Sequence, residues 1–411
     1  MAAWANRLAT IIGIDRTLNL GKYLGIPLLH SRVSKAHFND LIEKVQGRLT
    51  GWSNHTLNGA GRATLIQSVS STIPSYTMQT MEIPISVCEK LDKINRNFLW
   101  GDSNKKKKIH LLSWSKVCKS KDSGGLGIRK ARHQNLALLA KLGWKITTKE
   151  NSLWVSFLRD KYLHNNSLLS WSWPCKKSAS FVWRSITKAN FIIKKGVKWK
   201  IGDGNSIDLW LDWWFGDGPL IDKFPGNHGS HNVKLNSIFN TNNGWDLSSI
   251  SQVINTQTVA EILLVNIPDI HGTGDHPTWV ATPNGTFSSA AAFNIVNPRV
   301  SNSADWKWIW KLNIPAKLQF FLWLTFHDVL PTNSLRACRG MIAMSFCPRC
   351  DETPEDTNHL FRGWLFRVHL CFFSATEEDE LLSTSTVQYR STVNWYMVDL
   401  FAMVDGSRMK N

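Results

Sequence analysis

The sequence predicts a mainly α protein with a smaller mixed α+β region in its middle, and three observations carry that prediction. Apolar residues recur at helical spacing through the first third of the chain. Between 197 and 210, alternating residues flank a glycine–aspartate turn, the pattern of a β-hairpin, in tryptophan-rich surroundings. Near position 350 a cysteine pair with two residues between precedes a histidine, the pattern of a small helical zinc-knuckle-like module. The chain then divides into a basic helical region (1–150), a Trp-rich mixed connecting region (151–295), a knuckle-bearing domain (296–370) and an unassigned tail (371–411).

Each element has its own local reason. Ser34 is placed to N-cap a helix with Phe38, Leu41, Ile42, Val45 and Leu49 on one stripe, stopped by Gly51. A second helix from about Gly61 buries Leu65, Ile66, Val69 and Ile73 and ends before Pro74, since proline disfavours helical backbone in the residue preceding it. Pro84 suits the first turn of a third, with Ile85, Cys88, Leu91, Ile94 and Phe98 inward. Lys44, Arg48, Lys90, Lys93 and Arg96 then fall mainly outward, so the packed helices carry a basic exterior.

Lys105, Lys106, Lys107 and Lys108 form a loop that touches phosphate, acts as a nuclear-localisation signal or is simply solvated. The turn Ser123-Gly124-Gly125-Leu126-Gly127 feeds a helix in which Leu136, Leu139 and Leu142 mark one face and Lys145 the other. Arg129, Lys130, Arg132 and His133 crowd the start of that helix. A helix dipole disfavours cations there, so either an anion docks among them, with Arg129, Lys130 and Arg132 as candidate phosphate contacts, or the segment is a plain solvated turn. Residues 216–236 and 266–285, rich in Gly, Pro, Asn and His, read as loops. From Trp306 to Trp323 a helical pattern breaks at Pro315, so two helices should meet there.

Composition narrows the function. An apolar content of 43% with 19% charged residues describes a globular chain, and most of its 21 tryptophans must be core. No apolar run reaches membrane-spanning length, and the first residues lack a signal-peptide core. Seven cysteines with one close pair point to a reducing, intracellular compartment, nucleus or cytoplasm. The net charge of +17 is unevenly spread: residues 1–200 hold 34 Lys+Arg against 10 Asp+Glu, and residues 201–411 hold 14 against 21. A basic half of that strength makes RNA or DNA the first partner to expect, through counterion release. The competing reading is a solvated surface on a structural or protein-interaction module with no affinity for polyanions.

Cys347, Cys350 and His359 supply three zinc donors, two from one tight turn. The fourth is expected about a helical turn past His359, where the chain has Trp364, and indole cannot ligate zinc. Cys371, His369 or water would have to complete the site, so the segment either binds zinc weakly or is a reduced, metal-free turn held by the surrounding tryptophans. Asp203, Asp208, Asp212, Asp217 and Asp222 resemble a two-metal cluster in number, but no Glu or His accompanies them and their places in turns favour a structural role. No aromatic-x-Asp-Asp, GxxxxGK[ST], GxSxG or HExxH occurs, so no catalysis is expected.

The stretch Trp306-Lys307-Trp308-Ile309-Trp310 through Pro315 to Trp323, leading to the cysteine pair, resembles the reverse-transcriptase zinc-binding domain of plant non-LTR (LINE-type) retrotransposon proteins. The resemblance runs from about Leu20 to Arg362. It includes, in the family's order, Lys22-Tyr23-Leu24-Gly25-Ile26-Pro27, Gly51-Trp52, Ala60-Gly61-Arg62 and Pro74-Ser75-Tyr76-Thr77-Met78. Arg96-Asn97-Phe98-Leu99-Trp100-Gly101, Gly124-Gly125-Leu126-Gly127, Trp199 to Gly204 and Leu330-Pro331-Thr332 follow. The resemblance implies that residues 1–150 are a polymerase thumb, that the family's palm lies upstream of residue 1, and that Trp364 replaces a cysteine ligand. It also implies a following ribonuclease-H domain, whose carboxylate set the tail lacks. The resulting expectation is a retroelement-derived fragment that binds nucleic acid non-specifically and has no catalytic core.

Overall fold

The computed structural model describes residues 2–13, 21–28, 33–53, 57–102, 107–164, 167–169, 178–225, 233–240, 244–267, 274–298 and 306–363. It is helix-rich with two small antiparallel sheets, and it divides into two compact units, Met1–Val329 and Leu330–Asn411. No helix among the described residues is long and apolar enough to cross a membrane.

The first unit opens with helix α1 (Ala2–Ile12) and a two-residue hairpin, β1 (Lys22–Tyr23) against β2 (Ile26–Pro27). Leu24 and Gly25 turn the hairpin with φ of 49° and 81°, the left-handed pair that matches the twist of flanking strands. Ser34 begins a 3₁₀ turn over Lys35–Phe38, its N–H donating to His37 Nδ1 at 3.0 Å, and α2 (Asn39–Ser53) follows. Phe38, Ile42, Val45 and Leu49 are buried as the stripe requires. Gly51 does not stop this helix: its φ is not left-handed, and α2 continues to Ser53.

The second helix departs from its reading in phase. α3 (Gly59–Leu65) starts earlier, with Asn58 Oδ1 accepting the Gly61 N–H at 2.9 Å, and it runs into a π-helical turn over Ile66–Ser70. The wider turn shifts the buried stripe. Ile66 and Ser70 are therefore buried while Leu65, Val69 and Ile73 are only half-covered. Ser70 donates its hydroxyl to Asn95 across the helix pair. A short α4 (Ser75–Met78) leads to α5 (Ile85–Trp100), which Pro84 initiates and Gly101 ends at φ 77°. Cys88, Leu91 and Phe98 are buried and Ile94 is half-buried; Ile85 is exposed, and Val87 takes the inward place expected of it.

After α6 (Trp114–Val117), α7 (Ala131–Thr147) is the central helix, packed against α4, α5, α8 (Leu153–Tyr162), α9 (Phe181–Lys188), α10 (Asn190–Gly196) and α13 (Ser289–Val296). Neighbours on so many sides explain why Ala137, Leu139 and Ala140 are all fully buried. The expected hairpin between 197 and 210 does not form. β3 (Val197–Lys200) instead pairs antiparallel with β4 (His276–Trp279), Val197 opposite Trp279, so a strand lies inside the stretch that reads as loop. Residues 202–206 wrap a carboxylate: Asp275 accepts the N–H groups of Gly202 and Gly204 at 2.8 and 3.0 Å on one oxygen and of Ser206 at 2.8 Å on the other. Those bonds satisfy donors that a hairpin partner would otherwise have taken. α11 (Leu220–Lys223) and α12 (Thr256–Leu263) complete this region, whose core includes Trp199, Trp210, Trp214 and Trp279.

α14 (Lys307–Lys311) and α15 (Ala316–Phe326) meet at Pro315 as expected. Trp323 Nε1 and His327 Nε2 both donate to the Gly124 carbonyl, at 2.9 and 2.6 Å, and the Trp306 ring stacks on His327. Gly124 has φ of +83°, and a Cβ there would meet the Trp306 indole at 2.8 Å, so this turn requires glycine twice over.

Candidate functional site

The second unit is built around the knuckle. α16 (Asn333–Cys338) is N-capped by Thr332, and its first residues tie to a short ribbon: Ser334 N–H donates to the Glu355 carbonyl at 3.1 Å and Asn333 Nδ2 to the Phe346 carbonyl at 3.1 Å. The ribbon is closed by Cys347 N–H to the Thr353 carbonyl at 2.9 Å and Glu355 N–H to the Ser345 carbonyl at 2.7 Å. Asp351 takes the left-handed conformation (φ 54°) that reverses the chain after Cys350, and its N–H donates to the Cys347 carbonyl. Asp356 accepts the His359 N–H at 2.5 Å and so starts the helical turn that presents His359.

The structure brings the three expected donors together. Their ligand atoms lie within 4.8 Å of one another, with Cys347 buried and the other two half-buried. Cys350 Sγ stands 3.6 Å from His359 Nε2. A tetrahedral zinc with Zn–S of about 2.3 Å and Zn–N of about 2.0–2.1 Å has an S···N edge of about 3.5–3.6 Å, so this edge already has the length zinc needs. The other ring nitrogen, Nδ1, is 3.1 Å from Thr353 Oγ1, a hydrogen-bond partner that orients the ring with Nε2 toward Cys350. The Glu352 N–H, then the Thr353 hydroxyl and N–H, push the Cys350 thiol down to about 6, toward the thiolate a metal requires. Donors and support are compatible with zinc. Among the described residues no other group of three such side chains converges. Trp364, His369 and Cys371 lie outside the described residues.

Of the candidate phosphate contacts, Lys105 and Lys106 also lie outside the described residues, while Lys107 and Lys108 are exposed. Asp102 fastens the loop they stand on, accepting the Lys108 N–H at 2.8 Å and bonding His110 Nε2 at 3.1 Å. At the start of α7, Arg129 is exposed, with its guanidinium bonded to Gln134 Oε1 at 3.1 Å and lying 5.4 Å from the Phe293 ring centre. Lys130 bonds Ser115 Oγ at 3.0 Å, and Arg132 is half-buried. A carboxylate stands among these cations: Asp92, on α5, accepts the Ala131 N–H at 3.1 Å. Burial raises its pKa, while the Ala131 N–H and the charges of Lys130 and Arg96 pull it down. Asp92 is 39 positions upstream, so nothing local in the sequence announces it.

Three of the aspartates that resembled a two-metal cluster, Asp203, Asp208 and Asp212, bond backbone N–H groups. Asp208 accepts the N–H groups of Trp210 and Leu211 at 3.0 and 2.9 Å, Asp212 accepts that of Asp208 at 2.8 Å, and Asp203 bonds Asn205. Asp212 is 3% exposed, and burial pushes its carboxyl up to about 7.

Comparison with known proteins agrees with the knuckle. The family model described as zinc-binding in reverse transcriptase matches residues 287–365. Over 345 residues the chain is 33% identical to an Arabidopsis thaliana protein that carries the name of a ribonuclease H protein, covering 82% of this chain and 56% of that one. Over 146 residues it is 35% identical to an uncharacterized mitochondrial protein of Arabidopsis thaliana, covering 35% of this chain and 94% of that one. The chain thus spans just over half the length of the first relative.

Proposed function

The chain belongs to the reverse-transcriptase zinc-binding family of plant retrotransposon proteins, and from that membership we propose that it binds RNA or DNA non-specifically through the phosphate backbone, with no polymerase or nuclease activity of its own. The observation that carries this reading is the charge asymmetry, 34 Lys+Arg against 10 Asp+Glu in residues 1–200. Each phosphate neutralised by a cation releases condensed counterions, which drives binding without base readout. The placement of the cations supports it: Lys44, Arg48, Lys90 and Lys93 are exposed on α2 and α5, whose apolar stripes face inward.

In this reading residues 1–150 are the thumb-like, backbone-facing region, and 151–295 connect it to the zinc-binding domain at 296–370. The Cys347, Cys350 and His359 knuckle holds zinc and stabilises that last domain, while Lys107, Lys108, Arg129, Lys130 and Arg132 contact phosphate. Replacing Lys107, Lys108 and Arg129 together by alanine tests the assignment, because none of the three is buried. The slope of log affinity against log salt should become shallower by about one for each phosphate contact removed. An unchanged slope would take these residues out of the interface. The purified chain should leave a primer unextended and an RNA–DNA hybrid intact; extension or cleavage that purifies with the protein would overturn the non-catalytic part of the reading.

A further inference from the structure

α8 turns a face to solvent that its packing does not explain. Its inward side is complete: Val155 is 2% exposed and joins Ile146, Leu163, Trp183 and Ile186 in a closed cluster. On the other side Leu153, Phe157 and Lys161 recur every four residues, one above the next. Leu153 is 89% exposed and Phe157 58%. Leu153 and Phe157 therefore offer exposed apolar surface on this face.

The surroundings say what kind of partner that surface suits. The Lys161 ammonium lies 5.4 Å from the centre of the Phe157 ring and 5.5 Å from that of Tyr162. Tyr162 is itself stacked on Trp183, 4.7 Å between centres and 14° between planes, and its hydroxyl accepts the Ser180 N–H at 3.1 Å. The cation is therefore held by rings on two sides, one of them anchored to the core. On α9 the Arg184 guanidinium lies 5.8 Å from the Phe181 ring centre, a second pairing of the same kind. Residues 141–200, to which all of these belong, hold thirteen Lys+Arg against two Asp+Glu. An apolar protein segment has no use for that charge, whereas a polyanion that also offers flat apolar faces uses both features.

We propose that the Phe157–Lys161 face of α8 is a stacking site for an unpaired base of single-stranded nucleic acid, with Lys161 on the adjoining phosphate. This deepens the backbone-binding reading above and rests on it. Every base has a π face, so an aromatic platform accepts any sequence, and a neighbouring cation follows the backbone. In a duplex those faces are covered by neighbouring base pairs, so the same site gives a duplex only its charge. The chain would then prefer single strands although it reads no sequence.

The test uses the full-length chain and two fluorescently labelled probes, an oligothymidylate and a duplex of equal length, titrated across salt. Phe157→Ala should weaken single-strand binding about 5- to 100-fold and change duplex binding by no more than about twofold. Phe157→Tyr, which restores a ring, should recover most of the loss. Lys161→Ala should lower the single-strand salt slope by about one. Single-strand affinity unaffected by Phe157→Ala, or equal losses on both probes, would overturn this inference and leave backbone binding standing. A wild-type chain that binds neither probe would remove both readings together.

Discussion

In the proposed zinc knuckle, the contacts among Cys350, His359 and Thr353 should decide how well a metal is held. The Thr353 hydroxyl reaches His359 Nδ1 at 3.1 Å and Cys350 Sγ at 3.6 Å, so it supports two donors at once. Thr353→Val keeps the shape and loses the hydroxyl, and zinc affinity should fall about 10- to 100-fold, read by competition with a chromogenic chelator. Wild-type affinity in that variant would show that the hydroxyl does not orient the ligands. We propose that Trp364 takes the place in the sequence of a fourth ligand, so Trp364→Cys should raise the melting temperature in zinc over chelator by more than the wild type's shift. Equal shifts would mean that Trp364 replaced no ligand. Asp212 carries a different signal. Its carboxyl, raised from 3.8 to about 7 by burial, keeps its proton in the folded chain where the unfolded chain has released it. The stability that proton supports is complete below about pH 4 and is lost as pH rises through about 7. Asp212→Asn should therefore gain on the wild type between pH 4 and 7 in urea midpoint; a constant difference across that range would contradict the raised carboxyl.

Among the elements, the packing of α10 and β3 against β4 is the most demanding. Gly196 ends α10 directly against the Trp279 ring, which is fully buried, and an added Cβ would overlap the indole. Gly196→Ala should cost about 1–3 kcal/mol by overpacking, seen as a lower melting temperature; an unchanged one would mean that Trp279 moves freely. The same contact shows why some elements were legible in the sequence and others were not. The stripes of α2 and α5 recur within a single helix, so Phe38, Ile42, Leu91 and Phe98 could be placed inside from spacing alone. β3 pairs with residues almost eighty positions away, and its local glycine–aspartate turn suggests the wrong partner. The π-turn at Ile66–Ser70 adds a residue without any compositional mark, and Gly51 carries the residue type of a helix stop without the left-handed backbone that makes one. In the candidate site the same division holds. Cys347, Cys350 and His359 were readable because metal geometry constrains their spacing, while Thr353 and Asp92 act through hydrogen bonds that no spacing rule encodes.

For the whole molecule the governing quantity is where the charge sits. A net +17 could arise from an even scatter of lysines, but residues 201–411 hold more Asp+Glu than Lys+Arg, and the excess belongs to residues 1–200. Lys90 and Lys93 are exposed on the same helix whose Cys88 and Leu91 are buried, so folding concentrates apolar surface inside and leaves cations available to a polyanion. Affinity for RNA and DNA should then depend on salt far more than on sequence. The most direct measurement is the binding constant of the full-length chain for one RNA and one DNA of unrelated sequence, followed from low to moderate salt. Each phosphate contact contributes about −0.7 to −0.9 to the slope of log affinity against log salt. We predict a straight line with a slope of about −3 or steeper, similar for unrelated sequences. A flat line, or no binding to either nucleic acid at low salt, would contradict it.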